Sequence, residues 1–89
     1  MKTRVSDGTN IELVEDVQTY LYDAGFDKDL YTIDDFDNTR GYVEVFFIAY
    51  DAVDYVLKDV RKSEYSYLLE IKKYRYRGGI CSAIIAYLD

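Results

Sequence analysis

A chain of 89 residues, 49% hydrophobic and 17% aromatic with six net negative charges, has material for one small core, so residues 1–89 are read as a single domain. With no histidine and one cysteine, Cys81, it excludes an internal disulfide framework, a multi-cysteine zinc site and the usual nucleophile-activating pair. No apolar run reaches membrane-spanning length, and MKTRVSDGTN has no signal-peptide core, so a cytoplasmic protein without a membrane partner is expected.

Lys2–Val5 reads as a short edge strand, and Ser6-Asp7-Gly8 as a turn. Thr9 and Glu12 have capping-box spacing, which satisfies two orphan N–H groups reciprocally. Leu13, Val14, Val17, Tyr20, Leu21 and Ala24 then form one apolar helical stripe, with Glu15, Asp16, Gln18, Thr19 and Asp23 facing away. Gly25 and Phe26 stand where a Schellman motif places its left-handed residue and its hydrophobic contact. Leu30–Phe36 reads as a strand with Leu30, Thr32 and either Ile33 or Phe36 inward. The polar loop 37–41 turns it into Tyr42–Tyr50 (YVEVFFIAY), whose one charge is Glu44 and whose composition fits a strand buried on both faces.

Residues 51–62 fit a helix, with Asp51 as N-cap, Asp54 in the first turn and Arg61 and Lys62 in the last. A strand alternating Val53, Tyr55 and Leu57 is the rival. Tyr65–Tyr76 alternates as a strand, and Gly78-Gly79 is primed-turn chemistry. Ile80–Leu88 returns as a strand apolar on both faces, a short helix being the alternative. The order (β)αββαββ implies an α+β fold, an antiparallel sheet with two helices on one face. With Lys2–Val5 paired in, it matches a ferredoxin-like split βαβ plus one C-terminal strand.

Charge is lopsided. Residues 1–54 hold thirteen acids and four bases, residues 55–89 seven bases and four acids. Asp34, Asp35, Asp37 and Asn38 do not fit an EF-hand register, because Arg40 and Phe46 fall where Gly and Glu are required. No metal and no cofactor are expected. Carboxylates could serve acid–base catalysis only in a cleft, which a chain this small rarely encloses, so the reading is non-enzymatic.

Two surfaces remain as candidates. The first is acidic: Glu12, Glu15, Asp16, Asp23, Asp27, Asp29, Asp34, Asp35 and Asp37, with Tyr22 and Tyr31 among them. It is either an ordinary solvated surface or an imitation of a nucleic-acid backbone that occupies a basic groove on a protein partner, without direct nucleic-acid contact. The second is Lys72, Lys73, Tyr74, Arg75, Tyr76 and Arg77, which would track single-stranded nucleic acid while its rings stack on bases, or would merely protect a strand edge. A self-associating structural protein, a homodimer pairing acidic and basic halves, is a third reading. In size, acidity and tyrosine content the chain resembles the small inhibitors that phages and mobile elements encode against restriction or CRISPR enzymes. No residue motif ties it to any one of those families.

Overall fold

The apolar pattern resolves into two layers in a computed structural model that describes residues 11–34, 41–49 and 51–88. In chain order the elements are α1 (Ile11–Asp23), β1 (Tyr31–Asp34), β2 (Tyr42–Phe47), α2 (Ala52–Lys62), β3 (Leu69–Arg77) and β4 (Ile80–Tyr87). Single 3-10 turns at Lys28–Leu30 and Glu64–Tyr67 precede β1 and β3. The strands order as β1-β2-β4-β3, and every pairing is antiparallel. β2 and β3 therefore run parallel with β4 between them and α2 connecting them, which is a split βαβ unit. The protein is an α+β domain with both helices on one face of the sheet. The expected strand Lys2–Val5, the capping residue Thr9 and the loop 37–40 lie outside the described residues.

The core lies between sheet and helices. Leu13, Val17, Tyr20 and Leu21 of α1 and Val53, Val56 and Val60 of α2 meet Val43, Val45, Phe47, Cys81, Ala83 and Ile85. Each large side chain buried there contributes roughly 1.5–3 kcal/mol. Tyr20 also fastens the helices to each other, its hydroxyl donating to the Val56 carbonyl at 2.9 Å. The Schellman stop of α1 forms as the sequence predicts. Phe26 N–H reaches Leu21 O at 2.9 Å and Gly25 N–H reaches Tyr22 O at 3.0 Å, with Gly25 at φ 96°. Phe26 then packs against Phe47 and Tyr55, ring centroids 5.6 Å apart in both pairs. Gly78 and Gly79, at φ 56° and 84°, make the primed turn between β3 and β4.

Several expectations are corrected. Leu30 closes a 3-10 turn by donating to Asp27 O at 2.9 Å, so β1 begins one residue later. Its inward residues are Tyr31 and Ile33, opposite Phe47 and Val45, rather than Leu30 and Thr32. β2 ends at Phe47, leaving Ile48 66% exposed. Asp51 holds the N-cap position of α2 without a side-chain capping bond. Tyr65 and Tyr67 belong to the 3-10 turn, not to a strand.

The largest correction concerns β3. Its pairing with β4 runs Glu70↔Ala86, Ile71↔Ile85 and then Lys73↔Ile84, with Lys72 as the extra residue of a β-bulge. Side chains alternate between faces, so one extra residue inverts the phase. Leu69 and Ile71 face the helices, and beyond the bulge Tyr74 and Tyr76 do. Lys73, Arg75 and Arg77 turn to the open face of the sheet.

Candidate functional site

The acidic residues of α1 occupy one arc. At 3.6 residues per turn, Glu15, Glu12, Asp23 and Asp16 fall within about 100° of each other, to one side of the exposed face. No lysine or arginine lies in Ile11–Asp23. No described cation pairs with Glu15, Asp16 or Asp23; among the described residues an ion pair forms between Lys72 and Glu70, at 3.7 Å.

Two of these carboxylates are held in place. Tyr87 donates to Asp16 at 2.6 Å and Tyr65 donates to Asp23 at 2.7 Å. The hydrogen bond to Asp23 pushes the Tyr65 hydroxyl up to about 12, with burial and the charges of Asp23, Glu64 and Asp16 adding to it. Burial, then the charge of Asp59, raises Tyr20 as well. The Tyr20 and Tyr65 rings, with centroids 5.2 Å apart, thus sit amid carboxylates from both helices and the second 3-10 turn.

The acidic set foreseen in the sequence does not form one surface. Glu12, Glu15, Asp16 and Asp23 gather on α1. Asp27 and Asp29 are exposed at the 3-10 turn that follows. Asp34 lies across the sheet, directly opposite Glu44 on the open face, because strand alternation puts it there. Asp35 and Asp37 lie outside the described residues. Tyr22 is 75% exposed, as an interface anchor requires. Tyr31 is partly buried: its ring packs inward against Phe47 at 6.5 Å, burial raises its hydroxyl pKa, and it borders a surface depression together with Glu15.

The basic-aromatic stretch is likewise split. Lys73, Arg75 and Arg77 share the open face, whereas Tyr74 and Tyr76 stand on the helix side, bordering Asp51, Val53, Asp54 and Cys81. Cations and rings cannot act on one strand of nucleic acid from opposite faces of a sheet. Lys72, as the bulge residue, pairs with Glu70 instead.

The open face carries residues that the sequence did not single out as a site. Glu44, only 9% exposed, accepts the Ser82 hydroxyl at 2.8 Å through Oε2. Both border a depression of about 290 Å³ that also touches Phe46, Arg75, Arg77 and Ile80. One signal was present: a lone carboxylate in an apolar strand, matched by a lone serine in another. Among the described residues no three His, Cys, Asp or Glu side chains gather as a metal site, and no helix is long and apolar enough to cross a membrane.

Compared with protein-family models, curated proteins and solved structures, the chain matches none of them.

Proposed function

We propose that this protein is a non-enzymatic inhibitor that docks the acidic arc of α1 into the basic nucleic-acid-binding surface of an enzyme. It would act in the cytoplasm, in the manner of the anti-restriction and anti-CRISPR proteins of phages and mobile elements. The observation that carries this reading is the arc itself, with four carboxylates on one side of a helix that contains no cation.

Glu12 and Asp23 are eleven residues apart, which at 1.5 Å per residue is about 16 Å of helix axis. Four charges over that length leave three intervals averaging about 5.5 Å, sparser than the roughly 3.4 Å per charge of a single strand of a duplex but of the same order. Tyr87 and Tyr65 fix two of the four carboxylates before any partner arrives, which lowers the ordering cost of binding. Exposed Tyr22 supplies an aromatic contact at the edge of the arc. The basic side chains Lys73, Arg75 and Arg77 point away on the other side of the sheet, so they neither neutralise the arc nor repel a basic partner.

The test is capture from a bacterial lysate on immobilised protein, eluted with a salt gradient, beside the same protein carrying Glu12→Gln, Glu15→Gln, Asp16→Asn and Asp23→Asn. The expected result is a nucleic-acid enzyme retained at low salt, released as salt rises and lost with the quadruple variant. Retention that survives 0.5 M salt, or that the variant leaves intact, refutes the reading.

A further inference from the structure

The acidic arc leaves the open face of the sheet unexplained. Glu44 is more than nine-tenths buried there and has one donor among the described residues, the Ser82 hydroxyl on Oε2. Buried carboxylates are ordinarily met by several donors. Its Oε1 receives no hydrogen bond from the described residues, and Glu44 lines the 290 Å³ depression. Arg75 and Arg77 border the same depression, and neither forms an ion pair among the described residues.

The strand register gives this depression its shape. Phe46, Ser82 and Arg75 lie in one row across three adjacent strands. With strands about 4.8 Å apart, the backbones bearing Phe46 and Arg75 are about 10 Å apart, and the residue between them is a small serine. A flat ring needs about 3.5 Å on each side, so a backbone spacing of about 10 Å leaves room for one planar heterocycle between side chains rising from Phe46 and Arg75, both of which line the depression.

The floor of this slot is made of acceptors. The Ser82 hydroxyl donates its hydrogen bond to Glu44 Oε2, and a carboxylate accepts only, so acceptor lone pairs are what the two side chains have left to offer. Such a floor selects an edge of adjacent N–H donors. Guanine presents N1–H and N2–H side by side, matching a carboxylate's two oxygens. Uracil presents a single N–H between two carbonyls. Arg77, two residues along the same face from Arg75, is placed for a phosphate.

We propose that this slot binds a nucleoside phosphate with a preference for guanine. The base stacks between Phe46 and Arg75, its donor edge meets Glu44, and its phosphate meets Arg77. The ligand is either a free nucleotide or one nucleotide of a single strand. The site lies on the opposite side of the sheet from the acidic arc, stands independently of the inhibitor reading, and departs from the expectation of no direct nucleic-acid contact.

The experiment is an NMR titration of the intact chain at 0.15 M salt with 5′-GMP, 5′-UMP, inorganic phosphate and the pentaribonucleotide UUGUU, following Phe46, Ser82 and Arg75. GMP should saturate, with UMP at least tenfold weaker and phosphate weaker still. Phe46→Leu should weaken GMP about tenfold. Glu44→Gln, whose carbonyl can still accept from Ser82, should narrow the GMP/UMP ratio to about threefold. Thermal melts of both variants show whether they remain folded. Tighter binding of the pentamer than of GMP identifies a single strand as the ligand, and the reverse identifies a free nucleotide. No saturation by either, phosphate equal to GMP, or folded variants that bind as the wild type does would overturn the proposal.

Discussion

Deleting Lys72 should leave the fold almost untouched, while deleting its neighbour Ile71 should not. Without Lys72, the pairs Lys73↔Ile84, Ile71↔Ile85, Glu70↔Ala86 and Leu69↔Tyr87 all survive and join into a regular ladder. Every side chain keeps its face. The losses are the Lys72–Glu70 ion pair, exposed and worth about 0–1 kcal/mol, and the local twist of the bulge. Expected stability is within about 1 kcal/mol of the wild type. Deletion of Ile71 also heals the bulge, but it sets Lys72 opposite Ile85 on the helix side. Ile71 packs half-buried against the core, so its loss costs about 1–2 kcal/mol. Forcing a lysine ammonium toward that layer adds to this. Urea unfolding of the two deletions followed by circular dichroism makes the comparison, with nearly equal slopes and a clearly lower midpoint for the Ile71 deletion. If the Lys72 deletion is the less stable of the two, the bulge assignment fails, and with it the placement of Lys73, Arg75 and Arg77 on the open face.

Gly25→Ala should cost roughly 1–2 kcal/mol, because φ is 96° and no atom lies near an added Cβ, leaving backbone strain as the cause; an unchanged urea midpoint would contradict the Schellman stop. Tyr65→Phe tests the hydroxyl that clamps Asp23. Since the folded pKa of Tyr65 is raised from its usual 10 to about 12, its contribution is complete below pH 10 and is lost as pH rises toward 12. The variant should be less stable than the wild type by up to about 1 kcal/mol at pH 8, with the difference closing across that window; a gap that widens at high pH would reverse the sign and reject the assignment.

Where local chemistry and tertiary packing agree, the chain could be read directly. Helix α1 is the clearest case, since an apolar stripe and the Gly25-Phe26 stop each specify the same end. The strand phases were less legible. Tyr31 and Leu30 are both large and apolar, and the 3-10 bond from Leu30 to Asp27 decides which begins the strand. In Lys72-Lys73 the two residues are chemically identical, so nothing in the pattern marks one of them as extra. The sequence therefore mixes Tyr74 and Tyr76 with Arg75 and Arg77 in one stretch, while the fold assigns them to opposite faces. The Glu44–Ser82 pair was hidden for a related reason: the partners are thirty-eight positions apart, and only the β2–β4 register joins them.

Salt separates the two faces. Docking through the arc of α1 engages several charges and should weaken steeply with ionic strength, whereas one phosphate on Arg77 gives a shallow dependence. The arc lies on the outer side of the helix layer, one layer spacing of about 10 Å plus a helix radius of about 5 Å from the sheet, and Arg77 reaches out on the far side, so the charges are on the order of 20 Å apart. Two unit charges at that distance in water interact by about 0.2 kcal/mol. At 0.01 M salt, with a screening length of about 30 Å, the carboxylates of α1 would repel a phosphate arriving on the far side of the sheet, each adding about a tenth of a kcal/mol. At 0.15 M the screening length is about 8 Å and most of that repulsion is gone. GMP affinity should therefore hold steady or rise slightly from 0.01 to 0.15 M salt before phosphate–arginine screening reduces it, while capture through the arc falls throughout. Parallel salt curves for both activities would mean that a single surface carries them.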